Sequence, residues 1–257
     1  MNRPLPFENL LPAVREAGLA EMRFFETGFS VELKKDNTPV TSADLEANRI
    51  LLSALQKFYP EIPVVSEESE LPSNFDPEGR FFLVDPLDGT SDFVSKRREF
   101  TVNVALVERR RVVLGIVSAP ALNELFYGCR DLAFKAALDD VRLENVRPLA
   151  LSKRFSPTGF SGRPRVLVSV SHVEPATEEL LKKIPCERVP VGSSLKFLRI
   201  ADGLADCYPR PCALHEWDIA AGHGVLKAAG GNVYRFGTEL EVEYGQKDFV
   251  SPPFFAY

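Results

Sequence analysis

Cysteine, histidine, methionine and tryptophan are all scarce in this chain: among 257 residues there are 4 Cys, 3 His, 2 Met and 1 Trp. Cys129, Cys186, Cys207 and Cys212 are widely spread, and the closest pair has no histidine cluster beside it. That spacing excludes a zinc ribbon and a dense disulfide framework, and it suits thiols in a reducing compartment. Long apolar runs are missing too, since no stretch approaches the roughly 18–20 residues of a membrane span. The opening "MNRPLPFENLLPAVREAG" has Glu8 and prolines where a secretory leader would carry basic residues and an apolar core. A cytoplasmic protein is expected, with peripheral membrane association left open. Nor is there an excess of positive charge. The formal net charge is -5, and the basic residues gather on no long segment, which argues against long nucleic acid as a partner. A local basic pocket for a small anion is compatible with that balance.

What is present is an ordinary globular composition, 45% hydrophobic and 26% charged. The length permits one large α/β domain or two smaller ones sharing a cleft. Leu10, Val14, Ala17, Met22 and Phe25 recur at helical spacing, with Gly28 as a stop, and predict a first helix over 9–27. A second stripe from Ala43 to Phe58 ends at Tyr59-Pro60. "IPVV" (62–65) and "RFFLV" (80–84) read as strands that run abruptly into acid. Three β-rich segments over 100–107, 112–118 and 124–128 read as an antiparallel meander. Residues 130–163 are the least informative and suggest a further strand and a Ser-, Pro- and Gly-rich loop near 156–164; beyond them "RVLVSVS" predicts a strand, "EPATEELLKK" and "SSLKFLRIADG" helices, "ADCYPRP" a short strand, and "EWDIAAGHGVLKAAGG" a last helix closed by glycine.

The chemistry concentrates in "LVDPLDGTSDF" (83–93). A lone aspartate at a strand end often does no more than cap the next turn. Here Asp85 and Asp88 follow one strand, Glu67 follows another, and Asp218 opens a distant helix. If they converge, four like charges cannot all stay ionised unaided, and a hard divalent cation with oxygen ligands is the natural counter-charge. Pro86 stiffens the turn, the Leu87 carbonyl can face inward as a neutral ligand, and Gly89 allows close approach of an anionic group. Metals in such a site activate a water and stabilise the leaving oxygen in phosphoryl displacement. Thr90 supplies a hydroxyl to position that water, and Asp44 in "PVTSAD" is the candidate carboxylate partner. Asp92 reads as a first-turn helix residue.

These stretches resemble the inositol monophosphatase superfamily of lithium-sensitive, magnesium-dependent phosphatases. "DPLDGTSDF" is similar to its D-P-[IL]-D-G-T-x-x-F signature, "WDIAAG" to its W-D-x-A-A-G signature, "SEES" (66–69) to its glutamate motif and "TPVTSAD" (38–44) to its upstream element. Within the superfamily, "KKDNTPVTSAD", "EFTVNVAL", "VSVSH" and "VGSSLKFLRIADGLADCYPR" most resemble the 3'(2'),5'-bisphosphate nucleotidase branch. That resemblance implies a layered α-β-α-β-α fold of the sugar-phosphatase type, α+β over 1–150 and α/β over 151–257, with the site between the halves. It implies two to three Mg2+ ions: one on Glu67, Asp85 and the Leu87 carbonyl, another on Asp85, Asp88 and Asp218, and a weaker third near Glu67. Lithium would inhibit. Thr90 with Asp44 would orient and deprotonate the attacking water, and the amides of Gly89 and Thr90 would hold the phosphate to be removed.

For the rest of a nucleotide the resemblance points to Ser171, His172, Gly192, Ser193, Ser194, Lys196 and Arg210, with Glu67, Leu87, Asp88 and Asp218 also near the substrate. Plainer readings stand beside these: His172 as a surface histidine, Lys196 and Arg210 as solvated charges, Ser193 and Ser194 as helix caps. "VSKRREF" departs from the branch by placing Arg97 and Arg98 where a small turn residue is usual. The expected activity is hydrolysis of the 3'-phosphate of adenosine 3',5'-bisphosphate or its sulfated relative. The alternatives are an inositol or sugar monophosphatase and a non-catalytic nucleotide-binding sensor. A homodimer is compatible with the resemblance.

Overall fold

A computed structural model describes residues 5–34, 38–151, 163–170 and 173–257. Elements are numbered in chain order. A short 3-10 turn leads into α1 (Leu11–Thr27), where Gly28 at φ 110° ends the helix and its N–H closes on the Phe24 carbonyl. The hairpin β1 (Val31–Leu33) and β2 (Pro39–Thr41) feeds α2 (Ser42–Phe58). Seven strands then form the central sheet: β3 (Val64–Ser66), β4 (Arg80–Asp88), β5 (Thr101–Glu108), β6 (Arg111–Ala119), β7 (Glu124–Cys129), β8 (Leu132–Ala137) and β9 (Arg147–Pro148), in that order. Only β3 and β4 are parallel, so the two carboxylate-bearing strand ends emerge on the same edge of the sheet. The short helix α3 (Thr90–Val94) sits between β4 and β5.

The second part of the chain supplies β10 (Arg165–Val168), α4 (Pro175–Leu181), β11 (Glu187–Pro190), α5 (Leu195–Ala201), β12 (Tyr208–Arg210), α6 (Glu216–Ala228), β13 (Val233–Arg235) and β14 (Phe254–Ala256). β14 lies between β12 and β13, and β10 pairs with β11 and bridges to Cys207 beside β12.

Strand alternation sorts the core into layers. Phe82, Val84, Val104, Leu106, Leu114 and Ile116 pack against α1 and α2. Phe81, Leu83, Ala105, Val107 and Val117 point the other way, onto α5 and α6. The far side of α5 and α6 is covered by Tyr208, Val233 and Phe254 of the small sheet, and α4 packs outside that through Leu181. The order is helix, sheet, helix, sheet, helix, as the sequence resemblance implied.

Two local differences from the sequence reading matter. β4 does not stop at Val84 but runs to Asp88, crossing a bulge in which Asp85 pairs with Asn103 and Asp88 with Thr101. Pro86 lacks an N–H for the ladder, and the bulge accommodates it. In addition, β8 and β9 extend the meander by two strands where the sequence suggested one, and most of the expected loop near 156–164 lies outside the described residues.

Helix α6 lies unusually close to the sheet because glycines face it. A Cβ on Gly115 would fall 2.1 Å from the Ala221 carbonyl oxygen, and one on Gly128 would fall 2.5 Å from the Cα of Val225. Both obstacles are backbone, so no rotamer change relieves them. Gly115→Val should therefore lower stability by at least about 1–3 kcal/mol, read as a drop of several degrees in Tm. An unchanged melting temperature would contradict the close seating of α6.

Candidate active site

The site is built where β3, β4 and the N-terminus of α6 meet. Glu67 leaves β3, with its N–H on the Val84 carbonyl. Asp85 stands inside β4 with 1% of its surface exposed, and its Oδ1 accepts the Leu87 N–H at 3.0 Å. Asp218 lies in the first turn of α6, where Oδ2 accepts the His215 N–H at 3.0 Å in a capping arrangement. Behind it, Glu216 is buried and accepts the N–H groups of Gly245 at 2.7 Å and Gln246 at 2.8 Å, tying the start of α6 to the 245–246 turn.

One ligand oxygen from each of Glu67, Asp85 and Asp218 lies within 4.8 Å of the other two. Burial, followed by the charges of Glu67, Asp88, Asp218 and Asp44, pushes Asp85 well above the usual carboxylate range. Burial, then Asp88 and Glu67, does the same to Asp218. Asp88 rises to about 6, again chiefly by burial, although the Lys196 charge and the Ser194 N–H oppose the shift. Among the described residues Asp85, Asp88 and Asp218 make no salt bridge, Lys196 and Arg210 acting on Asp88 and Asp218 only at longer range, whereas Lys34 Nζ pairs with Glu67 at 2.7 Å and Glu68 at 2.6 Å. An all-oxygen donor set at this spacing fits a hard divalent cation with metal–oxygen bonds of roughly 2.0–2.1 Å after small side-chain adjustment.

Asp44 and Thr90 do meet. Thr41 is the N-cap of α2, and its N–H at 2.8 Å and hydroxyl at 2.5 Å both donate to Asp44 Oδ2. That leaves Oδ1 for the Thr90 hydroxyl at 3.1 Å, which has the Leu87 carbonyl as its alternative acceptor, also at 3.1 Å. Burial raises the Asp44 carboxyl, with the Thr41 and Thr90 hydrogen bonds working against it. The Leu87 carbonyl thus points toward Thr90 while its side chain is buried beside Phe93 and Phe100. Gly89 has φ 92°, and a Cβ there would meet Ser193 Oγ at 2.3 Å, so the position demands glycine twice over.

A cleft of about 300 Å3 opens in front of these groups, lined by Glu67, Asp88, Gly89, Thr90 and Asp218 and also by Lys196 and Arg210. Gly192 and Ser193 form part of its wall. Lys196 is buried at 7% exposure, with Nζ 3.2 Å from the Val191 carbonyl and 5.3 Å from the Tyr208 ring centroid. Burial lowers its ammonium to about 8, against the pull of Asp88. Arg210 reaches Ser169 at 3.5 Å and Glu174 at 3.6 Å, while its Nε is buried without a hydrogen-bond partner. The solvated-charge reading of these two residues does not survive.

Ser194 differs from the other nucleotide candidates: its hydroxyl is buried against Asn103 at 2.8 Å and Thr101 at 2.9 Å, and its N–H donates to Asp88 Oδ2 at 2.5 Å. Ser171 and His172 lie outside the described residues. Neither Arg97 nor Arg98 lines the cleft: Arg97 pairs with Asp92 at 2.5 Å, and Arg98 donates to the Ala121 carbonyl. Lys34, Thr41 and Asn103 escaped the sequence reading. For Thr41 the capping pattern T-x-x-D was a usable signal; for Lys34 and Asn103, partners distant in the chain left none.

Residues 7–253 match the inositol monophosphatase family, and the chain belongs to it. Relatives named 3'(2'),5'-bisphosphate nucleotidase CysQ include that of Salmonella typhimurium, 34% identical over 257 residues that cover 96% of this chain and 97% of that protein. The Escherichia coli K12 protein of the same name is 34% identical, over 93% of this chain and 94% of its own. Among solved structures, CysQ from Bacteroides thetaiotaomicron, a bacterial member of the family, superposes with a TM-score of 0.80 at 31% identity, covering 96% of this chain and 95% of that one. The Thermotoga maritima IMPase gives 0.71 at 27% identity, covering 96% and 89%. Members of this family are metal-dependent phosphatases.

The raised carboxylates set the sign of a pH effect. In the unfolded chain they ionise near the ordinary value of 3.8, whereas folded Asp88 holds its proton to about 6 and burial beside the other acids raises Asp85 and Asp218 well above the ordinary value too. Over that window the native state binds more protons, so stability is full below the unfolded pKa and is lost as pH rises through the folded values. Metal-free protein should melt at a lower temperature at pH ~8 than at pH ~5, and Mg2+ should raise Tm more at the higher pH, where protons no longer compete. An equal Mg2+ shift at both pH values would count against this cluster as the metal site.

Proposed function

We propose that the protein is a Mg2+-dependent 3'(2'),5'-bisphosphate nucleotidase that removes the 3'-phosphate of adenosine 3',5'-bisphosphate. The observation that carries this reading is that one cleft, lined by the acids Glu67, Asp88 and Asp218 and the Thr90 hydroxyl, also holds Lys196 and Arg210, two cations largely withdrawn from water. A ligand with two anionic groups can engage both the metal-holding acids and these cations, which a single phosphate does not require. The names of the relatives agree with it.

In this reading Glu67, Asp85, Asp88, Asp218 and the Leu87 carbonyl hold the magnesium ions. Bound magnesium would neutralise the buried acids, polarise the scissile phosphate and lower the pKa of the attacking water. Thr90 Oγ gives its proton toward Asp44 Oδ1 and can then accept a hydrogen bond from that water, aligning it for in-line attack. Thr41 keeps Asp44 in place from behind, because both of its donors occupy the other carboxylate oxygen. The Gly89 and Thr90 amides face the phosphate to be cleaved, and Lys196 and Arg210 hold the second one.

We assign most of the metal-holding residues to 1–150, and the nucleotide-holding residues with Asp218 to 151–257. The free cysteines suit a cytoplasmic setting. No helix among the described residues is long and apolar enough to cross a membrane.

Thr90→Val keeps the shape of the side chain and removes the hydroxyl, and should lower kcat by about 10²–10⁴ with Mg2+ binding retained. Full activity of this variant would remove Thr90 from the mechanism. A phosphate-release panel tests the substrate, using adenosine 3',5'-bisphosphate, inositol 1-phosphate and fructose 1,6-bisphosphate with Mg2+, with and without LiCl. The bisphosphate nucleotide should give the highest kcat/KM, LiCl should inhibit, and Lys196→Ala should raise its KM roughly ten- to hundredfold, the loss of a charge-assisted contact of about 1.5–3 kcal/mol. Preference for inositol 1-phosphate by orders of magnitude would overturn the nucleotidase reading. Tight nucleotide binding without phosphate release would overturn the enzyme reading.

A further inference from the structure

The turn Gly192–Ser194 is the point where the segment before α5 touches the acids of β4, and Glu99 braces it through both its carboxylate and its backbone carbonyl. Glu99 Oε2 accepts the Gly192 N–H at 2.7 Å, and the Glu99 carbonyl accepts the Ser193 hydroxyl at 2.6 Å. That same hydroxyl also lies 2.9 Å from the Asp88 carbonyl oxygen. Ser193 adopts φ 48°, a left-handed conformation that a non-glycine residue keeps only where its surroundings determine it. Gly192 is equally constrained, since a Cβ there would come within 2.9 Å of both the Glu99 Cβ and its carbonyl oxygen, and 3.0 Å of Asp92 Oδ2. Arg97 pins Asp92 from the outside. The consequence of this bracing is a 2.5 Å hydrogen bond from the Ser194 N–H to Asp88 Oδ2.

We propose that Glu99 is a positioning residue for the metal site: by holding the 192–194 turn it keeps the Ser194 N–H on Asp88, and so fixes which Asp88 oxygen is left to face a divalent cation. The inference rests on the metal-dependent reading above. Groups of this kind, one contact removed from a metal ligand, orient the ligand without touching the ion, and their loss costs about 10–100-fold in affinity or activity. Thr101 and Asn103 complete the seat by engaging the Ser194 hydroxyl, so Asp88, Ser194 and Glu99 move together.

The test is Mn2+ binding to the metal-free full chain, followed by electron paramagnetic resonance, which needs no substrate. Glu99→Ala should weaken Mn2+ binding about tenfold or more. Glu99→Gln should stay close to the parent, because its amide oxygen still accepts the Gly192 N–H. In turnover of whichever phosphomonoester the parent hydrolyses, Glu99→Ala should raise the Mg2+ concentration for half-maximal rate while kcat at saturating Mg2+ changes little. Parent-like Mn2+ affinity in Glu99→Ala, or an equal loss in Glu99→Gln, would overturn the proposal. Should Glu99→Ala fail to fold, Glu99→Asp, one methylene shorter, takes its place: weaker Mn2+ binding supports the proposal and unchanged binding overturns it. A parent protein that binds no Mn2+ would instead overturn the metal-dependent reading itself.

Discussion

Burial of several carboxylates in one small volume is the constraint on which this structure turns. Asp85 and Asp218 are pushed far above the ordinary carboxylate range because each loses water and faces the other acids. A fold does not tolerate that arrangement for stability's sake, since uncompensated buried charge is among the costliest things a protein can hold. The cost is met by a cation or by retained protons, and the protein's response to pH and metal follows from which of them is present.

Much of the surrounding architecture serves to keep the acids where they are. The parallel pairing of β3 with β4 delivers Glu67 and Asp85 to one edge, the β4 bulge carries the chain past Pro86 to Asp88, and glycines at 115 and 128 let α6 approach until Asp218 joins them. Three of these four acids are also tied by a backbone donor: Leu87 to Asp85, Ser194 to Asp88, His215 to Asp218. These donors stabilise the charged form and fix one oxygen of each carboxylate. The same cleft also holds a lysine and an arginine, largely withdrawn from water beside Tyr208 and Ser169. Acids and cations lining one cleft make its mixed charge its most informative property.

The parts of this design that rest on short-range pattern were legible beforehand. Helices α1, α2 and α6 stood out by their apolar stripes, and the meander by its β-rich runs. The acids of 83–93 were conspicuous because three of them crowd a turn behind a buried strand. Asp44 pairs with Thr90 because T-x-x-D is a capping box that presents one carboxylate oxygen outward. What escaped notice depends on residues far apart in the chain. Lys34 on Glu67 and Glu68, Glu99 on Gly192, and Asn103 on Ser194 leave no local trace. Arg97 and Arg98, which depart from the pattern of the branch, are taken up by Asp92 and the Ala121 carbonyl. Charge in a sequence does not say whether it is already neutralised.

The sequence by itself determined which chemistry was on offer: oxygen ligands for a hard cation, a hydroxyl beside a carboxylate, and a few cations for an anion. It did so because residue type and short spacing decide ionisation, hydrogen-bonding capacity and local turn geometry. Only the tertiary structure decided which of those groups face one another. Glycine-limited packing of α6 sets the distance from Asp218 to Asp85, and a turn braced by Glu99 sets the hydrogen bond on Asp88. Those are distances between elements, and no spacing along the chain encodes them.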